Sequence, residues 1–272
     1  MKSMIVCLLA VVLCIGCLAG CGSKKAASPL DKIKDAGKLT LYTEAGFAPY
    51  EFLYNNEVVG VDIEIMKEVA KEIGVELVIE DVTFDTICAS VKAGKCDVGA
   101  AGITITEERK ESIAFSDPYT STAQYVVVLA DNNEIATVED LAGKDIGVQQ
   151  GTTSDFMIED LINDGTLAGA TSSGYTAPAV AAASIGKLDA VVTDKLTAET
   201  IVANNAEKYQ CFKLVKADGS DAAEVEAYGI AVPKNSPDLL ETVNKVLERL
   251  LADGSIAAWE EKYNGIAKGL EG

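Results

Sequence analysis

Two α/β lobes, each a mixed and mostly parallel sheet flanked by helices, are the fold class this sequence predicts. Three observations carry it. Strand-like and helix-like segments alternate along the chain, the pattern that yields mostly parallel sheets. The plan runs twice, since Ala93-Gly94-Lys95-Cys96-Asp97-Val98 is echoed by Ile185-Gly186-Lys187-Leu188-Asp189-Ala190, each a helix end, a turn and a short strand. The globular part, from near Leu30, has about 240 residues, enough for two modest lobes.

In the first unit, Lys38 to Thr43 has the period of a strand. Asp62 to Ile73 sets Ile63, Met66, Val69, Ala70 and Ile73 at helical spacing and closes on Gly74. Val75 to Glu80 reads as a strand, Thr86 to Lys92 as a helix ending at Gly94, Val98 to Ala101 as a short buried strand, and Tyr125 to Ala130 as a continuous apolar strand. In the second unit, Thr137-Val138-Glu139-Asp140 resembles a capping box with Asp in place of Glu, ahead of a short helix stopping at Gly143. Asp145 to Val148 is a strand, Gln149 to Thr153 a loop and Ser154 to Ile162 a helix. Tyr175 to Ile185 reads as another helix with Pro178 in its first turn. Ala190 to Thr193 is a strand and Lys195 to Val202 a helix. Val225 to Val232 returns as a strand. Asp238 to Ala252 is an amphipathic helix with Leu239, Val243, Val246, Leu247 and Leu250 on one side, and Ile256 to Tyr263 is a final helix. Gly102 and Asp194 each stand five residues after the aspartate of an echoed turn. Both fall just past the carboxyl end of a strand, where open α/β sheets place their ligands.

Composition excludes several classes of function. The net charge is −19. A nucleic-acid partner needs clustered basic residues, and docking on anionic lipid needs them too. There is no histidine, which removes Ser-His-Asp and Cys-His catalysis and the commonest zinc ligand; neither a metal nor a cofactor is expected. Of seven cysteines, Cys7, Cys14, Cys17 and Cys21 lie near the N-terminus, leaving Cys88, Cys96 and Cys211 in the folded part with no CxxC spacing. Lys2 is the only charge in the first twenty residues, and Met4 to Gly20 is apolar or small. That describes a secretory signal over residues 1–20, removal of which would take the charge to about −20. A membrane anchor is the alternative, but the run is marginal against the roughly 20 apolar residues a span needs. Gly22 to Pro29 reads as a flexible tether, within an N-terminal segment 21–37 that precedes the first strand.

The residues past the strand ends suit a free α-amino acid. Its carboxylate wants a bidentate arginine and backbone donors, and its ammonium wants an anion and oxygen acceptors. The chain holds two arginines. Arg249 falls on the polar side of the late amphipathic helix. Arg109 ends Gly102-Ile103-Thr104-Ile105-Thr106-Glu107-Glu108-Arg109, where Gly102 admits close approach to the backbone, Thr104 offers a hydroxyl and a peptide N–H, and Thr106 can cap a helical turn. A helix salt bridge to a nearby glutamate would account for Arg109 equally well. Gln149-Gln150-Gly151-Thr152-Thr153 joins a strand to a helix, so it is either an anion site or simple capping by Thr152 or Thr153. Asp194 is the best anion for an ammonium, and alternatively the N-cap of the helix that follows.

The Leu18-Ala19-Gly20-Cys21 ending resembles the lipobox of bacterial lipoproteins, which implies diacylation of Cys21 as the first mature residue. Six further segments, in order, resemble the solute-binding protein family 3 of amino-acid ABC transporters. They are Phe47-Ala48-Pro49-Tyr50-Glu51-Phe52, Val59-Gly60-Val61-Asp62, Ala101 to Arg109, Phe115-Ser116-Asp117-Pro118-Tyr119, Asp189-Ala190-Val191-Val192-Thr193-Asp194 and Tyr228-Gly229-Ile230-Ala231-Val232-Pro233-Lys234. The likeness spans about Lys38 to Gly265. It implies the type II periplasmic-binding-protein fold, two lobes joined by two crossing strands that close on a ligand. Lobe one would combine 38–129 with 225–268, and lobe two would span 130–224. It implies a monomer, anchored outside the cytoplasm by lipid alone, that hands an amino acid to a permease. By the same resemblance Arg109 clamps the carboxylate with Thr104 and, across the cleft, Thr153. Gly102 offers its backbone, Asp194 binds the ammonium, and Phe47 and Phe84 sandwich the side chain, though both also suit a core. Glu44 stands where family members often carry Asp, and a carboxylate there suits a cationic or amide side chain. Gln149 aligns with a side-chain contact and is neutral. Arginine, lysine or another polar amino acid is therefore expected ahead of glutamate or aspartate. The rival is an enzyme on the same fold, a dehydratase or transglycosylase-like module with Glu44 as general acid. An extracellular sensor domain would be expected to carry a membrane span after the fold, and none follows it up to Gly272.

Overall fold

A computed structural model describes residues 27–269; the signal segment and the lipobox cysteine, Cys21, lie outside the described residues. The chain runs through α1 (Pro29–Ala36), β1 (Lys38–Thr43), β2 (Gly46–Phe47), β3 (Glu51–Tyr54), β4 (Glu57–Val59), α2 (Val61–Ile73), β5 (Glu76–Asp81), α3 (Phe84–Lys92), β6 (Val98–Gly99), α4 (Glu107–Ser112), β7 (Ala114–Phe115), β8 (Thr120–Thr122) and β9 (Gln124–Leu129). After a short 3-10 turn it continues with β10 (Asp145–Gln149), α5 (Thr153–Asn163), β11 (Thr171–Tyr175), α6 (Pro178–Ala183), β12 (Ala190–Asp194), α7 (Lys195–Asn204), β13 (Tyr209–Lys213), β14 (Glu226–Tyr228), β15 (Ala231–Val232), α8 (Pro237–Ala252) and α9 (Ser255–Ala267).

Two five-stranded sheets organise the molecule, in the orders β5-β1-β6-β15-β7 and β11-β10-β12-β9-β13. In the first, β1 pairs in parallel with β5 and β6, and β15 runs antiparallel to both β6 and β7. In the second, β10 pairs in parallel with β11 and β12, and β9 runs antiparallel to both β12 and β13. Four strands of each sheet therefore share a direction and one opposes them. Helices cover both faces, which is why the central strands are apolar throughout rather than alternating; Val126, Val127 and Val128 of β9 are all fully buried. The echoed turns do the same structural work in both halves. Asp97 accepts a hydrogen bond from the Thr40 N–H at 2.8 Å, and Asp189 accepts one from the Asp145 N–H at 2.8 Å, each tying the third parallel strand to the start of the first.

Several expectations change. The segment expected as tether to residue 37 contains α1, capped by a reciprocal Ser28–Asp31 box and packed on α8 and β1. Half of the box expected at Thr137 forms: Asp140 accepts from the Thr137 N–H, and from that of Ala136, but the Thr137 hydroxyl donates to Asp140 instead of capping, and the helix is a 3-10 turn. Tyr175 ends the strand β11 instead of starting a helix, and α6 begins at Pro178. The residues Thr171–Tyr175 are polar and half-exposed on a sheet edge, so no hydrophobic period announces them. The run Val225 to Val232 breaks into β14 and β15, which serve different sheets. β9 belongs to the second sheet, so the crossing comes earlier than the boundary expected at 129. It is made by β8 and β14, which pair antiparallel with Glu226 opposite Thr122 and Tyr228 opposite Thr120. Among the described residues no helix is long and apolar enough to cross a membrane.

Candidate functional site

Four chain segments at the carboxyl ends of strands converge between the sheets: Glu44 after β1, Gly102 to Arg109 after β6, Gln149 to Thr153 after β10, and Asp194 ending β12. One small cavity there is lined by Phe47, Phe84, Gly102, Thr104, Arg109, Gln149, Thr153 and Asp194, eight of the nine expected ligand-binding residues. The ninth, Glu44, reaches the same place through Gln149, whose side-chain amide donates to the Glu44 carboxylate at 3.1 Å. A wider cavity between α3, α4 and α5 shares Phe84, Arg109 and Thr153 and forms the outer part of the cleft.

On the first lobe, Gly102 sits at φ +53°, and a Cβ there would fall 2.7 Å from Cε1 of Phe47. Only glycine fits without displacing that ring. The Gly102 N–H is taken by the fully buried Asp62 at 2.9 Å, so the backbone group left to offer a ligand is its carbonyl. Asp62 also accepts from the Tyr119 hydroxyl at 2.6 Å, and burial pushes its pKa up to about 6. Thr104 bridges antiparallel to Tyr228, flanked by bonds from Ile105 N to Ala227 O and from Gly229 N to Ile103 O. In such a pair the central residue's own N–H and C=O point away from the partner strand, here into the cleft. Thr106 caps α4 by accepting from the Arg109 N–H at 3.1 Å. This sets Arg109 one turn in, where its guanidinium donates to the Thr104 carbonyl at 2.8 Å and, across the cleft, to the Gly151 carbonyl at 3.1 Å. Its Cζ lies 5.6 Å from the centre of the Phe84 ring. No carboxylate pairs with it as a salt bridge among the described residues, so the alternative of a helix ion pair finds no partner here. Arg249, by contrast, pairs with Glu68 on the surface. Phe47 is buried against Tyr50 and Tyr228 while facing the cavity, so it is core and cleft wall together.

On the second lobe, Thr152 caps α5 by accepting from the Asp155 N–H, which leaves Thr153 at the first helical position. The Thr153 hydroxyl donates to Glu226 at 2.8 Å. Asp194 precedes α7, yet its carboxylate makes no capping bond. It accepts instead from the Tyr228 hydroxyl at 2.5 Å and from the Gln124 amide at 3.2 Å. Burial, with Glu226 adding to it, pushes the Asp194 pKa up to about 7, against the opposing pull of Tyr228 and Arg109. Glu44 is also pushed up to about 7 by burial, with Asp81 adding and Gln149 opposing. Arg109 thus brings a guanidinium beside the carboxylates of Asp194 and Glu226. The cleft can take an anion at the guanidinium and a cation at Asp194, and it holds carboxylate charge to spare.

Three further residues meet the cleft: Glu226 and Gln124, which the sequence does not single out, and Tyr228, which it marks only as the start of the sixth segment. Their signal was present but faint. Glu226 and Tyr228 are two apart on a strand and so share a face, and Gln124 is a lone polar residue opening an apolar strand.

Comparison with known proteins agrees with this fold. The sequence pattern of the bacterial extracellular solute-binding proteins, family 3, matches residues 39–266. A probable histidine-binding protein of Campylobacter jejuni is 30% identical over 226 residues, covering 83% of this chain and 84% of the relative. A variant of ArgBP from T. maritima superposes with a TM-score of 0.76 at 39% identity, covering 86% of this chain and 98% of its own. The substrate-binding protein AbpA of an amino acid ABC transporter from Streptococcus pneumoniae, solved bound to L-arginine, superposes at 0.79 with 29% identity, covering 87% of this chain and 98% of that one.

Proposed function

The chain belongs to the bacterial extracellular solute-binding proteins, family 3, and within that family we propose that it captures a cationic L-amino acid, arginine ahead of lysine, and hands it to a membrane permease. It is a substrate-binding component of an amino-acid ABC transporter and not an enzyme; the alternative with Glu44 as general acid gains nothing from this kinship. The proposed contacts are these. Arg109 and the backbone N–H groups of Thr104 and Thr153 hold the α-carboxylate, Asp194 and the Gly102 carbonyl hold the ammonium, and Phe47 and Phe84 enclose the side chain. Gln149 and Glu44 read its far end.

The observation that carries the choice of ligand is Glu44. Its carboxylate sits half-buried behind the cavity-lining Gln149, with that amide as its side-chain partner and, among the described residues, no lysine or arginine paired with it. A buried carboxylate without a counter-ion is costly, and a ligand cation would relieve that cost. ArgBP has been solved with arginine bound, which points the same way. The test is a thermal-shift screen of the twenty amino acids followed by titration. Binding to the folded state adds RT ln(1 + [L]/Kd), about 4 kcal/mol at a thousandfold excess over Kd. Glu44→Gln should weaken L-arginine about ten- to a hundredfold, since hydrogen bonds to charged groups are worth about 1.5–3 kcal/mol, while leaving L-glutamine within a few fold. Equal loss for both ligands would make Glu44 a loop-ordering residue.

A lipid on Cys21, added after cleavage of residues 1–20, is proposed to anchor a monomer outside the cytoplasm. Leu18-Ala19-Gly20-Cys21 after the apolar run supports it. Cys21→Ser should release the protein or leave the precursor uncut, as seen by fractionation and immunoblot. A variant still membrane-bound and normally processed would refute the anchor.

A further inference from the structure

Glu226 stands on the crossing strand β14 and reaches between the lobes. One carboxylate oxygen, Oε2, lies 2.8 Å from the Thr104 hydroxyl of the first lobe and 2.8 Å from the Thr153 hydroxyl of the second. The other, Oε1, accepts from the Gln124 amide at 2.9 Å. The same Gln124 nitrogen lies 3.2 Å from Asp194, and Gln124 Oε1 accepts from the Ser154 hydroxyl at 2.7 Å. A carboxylate only accepts, and a threonine hydroxyl has one proton. Both threonine protons are therefore committed to Glu226. Neither hydroxyl is left to donate to a ligand carboxylate, and what each can present to the cleft is lone pairs.

We propose that Glu226 is a positioning residue of the amino-acid site: it takes the protons of Thr104 and Thr153, one from each lobe, and so fixes their hydroxyl oxygens as acceptors while joining the lobes at the hinge. This rests on reading the cleft as an amino-acid site. Donors and acceptors are thereby sorted. The ligand carboxylate is left to Arg109 and peptide N–H groups, and the ammonium meets Asp194 with hydroxyl oxygens around it. A ligand turned end for end would bring its carboxylate against Asp194, Glu226 and oriented lone pairs. The arrangement also couples grip to closure, because both bonds form only when Thr104 and Thr153 flank the same strand. Glu226 also acts on Asp194 electrostatically, raising its pKa after burial, the larger cause.

The test compares L-arginine and L-glutamine titrations of the wild type with those of Glu226→Gln, Thr104→Val/Thr153→Val and the triple variant, each checked for fold by circular dichroism. Glutamine keeps the size but cannot accept from both hydroxyls and Gln124 at once. Glu226→Gln should weaken both ligands alike, by about ten- to a hundredfold, since it acts on the α-groups and not on the side chain. Added to the threonine double variant, the same change should cost less than about threefold, the mark of a shared network. In Glu226→Gln the pH below which L-arginine binding weakens should also move down, because Asp194 loses a neighbouring carboxylate. A merely structural hinge residue would move neither the coupling nor the pH profile. Unchanged affinity in Glu226→Gln, or a loss undiminished in the triple variant, would overturn the role of Glu226. Should Glu226→Gln fail to fold, Thr153→Val alone keeps the question open to refutation, since wild-type affinity for both ligands there would equally overturn it. Wild-type affinity in Arg109→Ala would instead overturn the cleft reading itself.

Discussion

Arg109→Ala should yield a folded protein with no measurable amino-acid binding at micromolar concentrations. The guanidinium enters the cleft from α4 and spends its donors on two carbonyls, Thr104 O and Gly151 O, rather than on a carboxylate. Its charge is therefore available to a ligand anion in a place where water is largely excluded. Burial already works against the charged form, opposed by Glu226, Glu108 and Asp194 among its neighbours. Truncation leaves a bound carboxylate desolvated without its partner, which costs about 3–5 kcal/mol, or upwards of a hundredfold in Kd. Stability should change far less. The α4 residues are half-buried or exposed, so what is lost is two hydrogen bonds at about 1 kcal/mol each and the contact with the Phe84 ring. Calorimetric titration with L-arginine beside a thermal melt separates the two effects. Arg109→Lys sharpens the test, because a lysine keeps the charge without the planar fork and should recover only part of the affinity. Micromolar binding by a folded Arg109→Ala would remove Arg109 from the site.

What the sequence reveals of this cleft, and what it hides, follows from how each residue gets there. Gly102, Thr104, Arg109, Gln149, Thr153 and Asp194 all lie just past strands marked by apolar runs, so placing the strand places the residue. In the sequence Asp194 fits a cap and a ligand group equally, because both roles ask for a carboxylate ahead of a helix. Only the Tyr228 hydroxyl and Gln124 amide, brought from distant strands, show that the side chain turns into the cleft. Glu226 was invisible for a different reason. It lies within an apparently continuous strand, Val225 to Val232, that splits between the hinge pair and the first sheet. No local pattern tells an outward-facing glutamate on a crossing strand from one aimed between two lobes. The edge strands β11 and β13 leave no mark in the sequence on the same physics, since half-exposed edges carry too little apolar period to register. The small sheet β2-β3-β4 has strands of two to four residues, below the length at which alternation can be read.

Asp194→Asn should abolish binding of every amino acid and at the same time raise the melting temperature of the unliganded protein above neutral pH. Both effects come from one carboxylate pushed up to about 7 by burial and by Glu226. The ammonium of a free amino acid stays charged across this range, so it needs Asp194 ionised. As pH falls below about 7, binding must strip a proton from Asp194, and the Kd for L-glutamine should rise about tenfold per pH unit. L-arginine should fall off more steeply, because Glu44, also held at about 7, must be ionised for the side chain as well. The stability consequence has the opposite sign. A carboxyl whose folded pKa lies above its unfolded value takes up protons on folding, so stability is lost as pH rises from the unfolded to the folded value. Asp194 and Glu44 (each to about 7), Asp62 (to about 6) and the fully buried, unpartnered Glu51, also held well up by burial, all push in this direction. The unliganded protein should therefore melt higher at pH 5 than at pH 8, while its affinity improves over the same interval. Asparagine at 194 keeps a polar group for Tyr228 and Gln124 without the charge, so it should flatten part of that stability slope and erase the ligand-induced rise in Tm. A pH-independent Kd between 5 and 8, or an Asp194→Asn protein that still responds to L-arginine, would show that the ammonium is held elsewhere. The trade is the one expected of a binding site, where a buried charge is tolerated at a cost to the empty fold because the ligand alone can neutralise it.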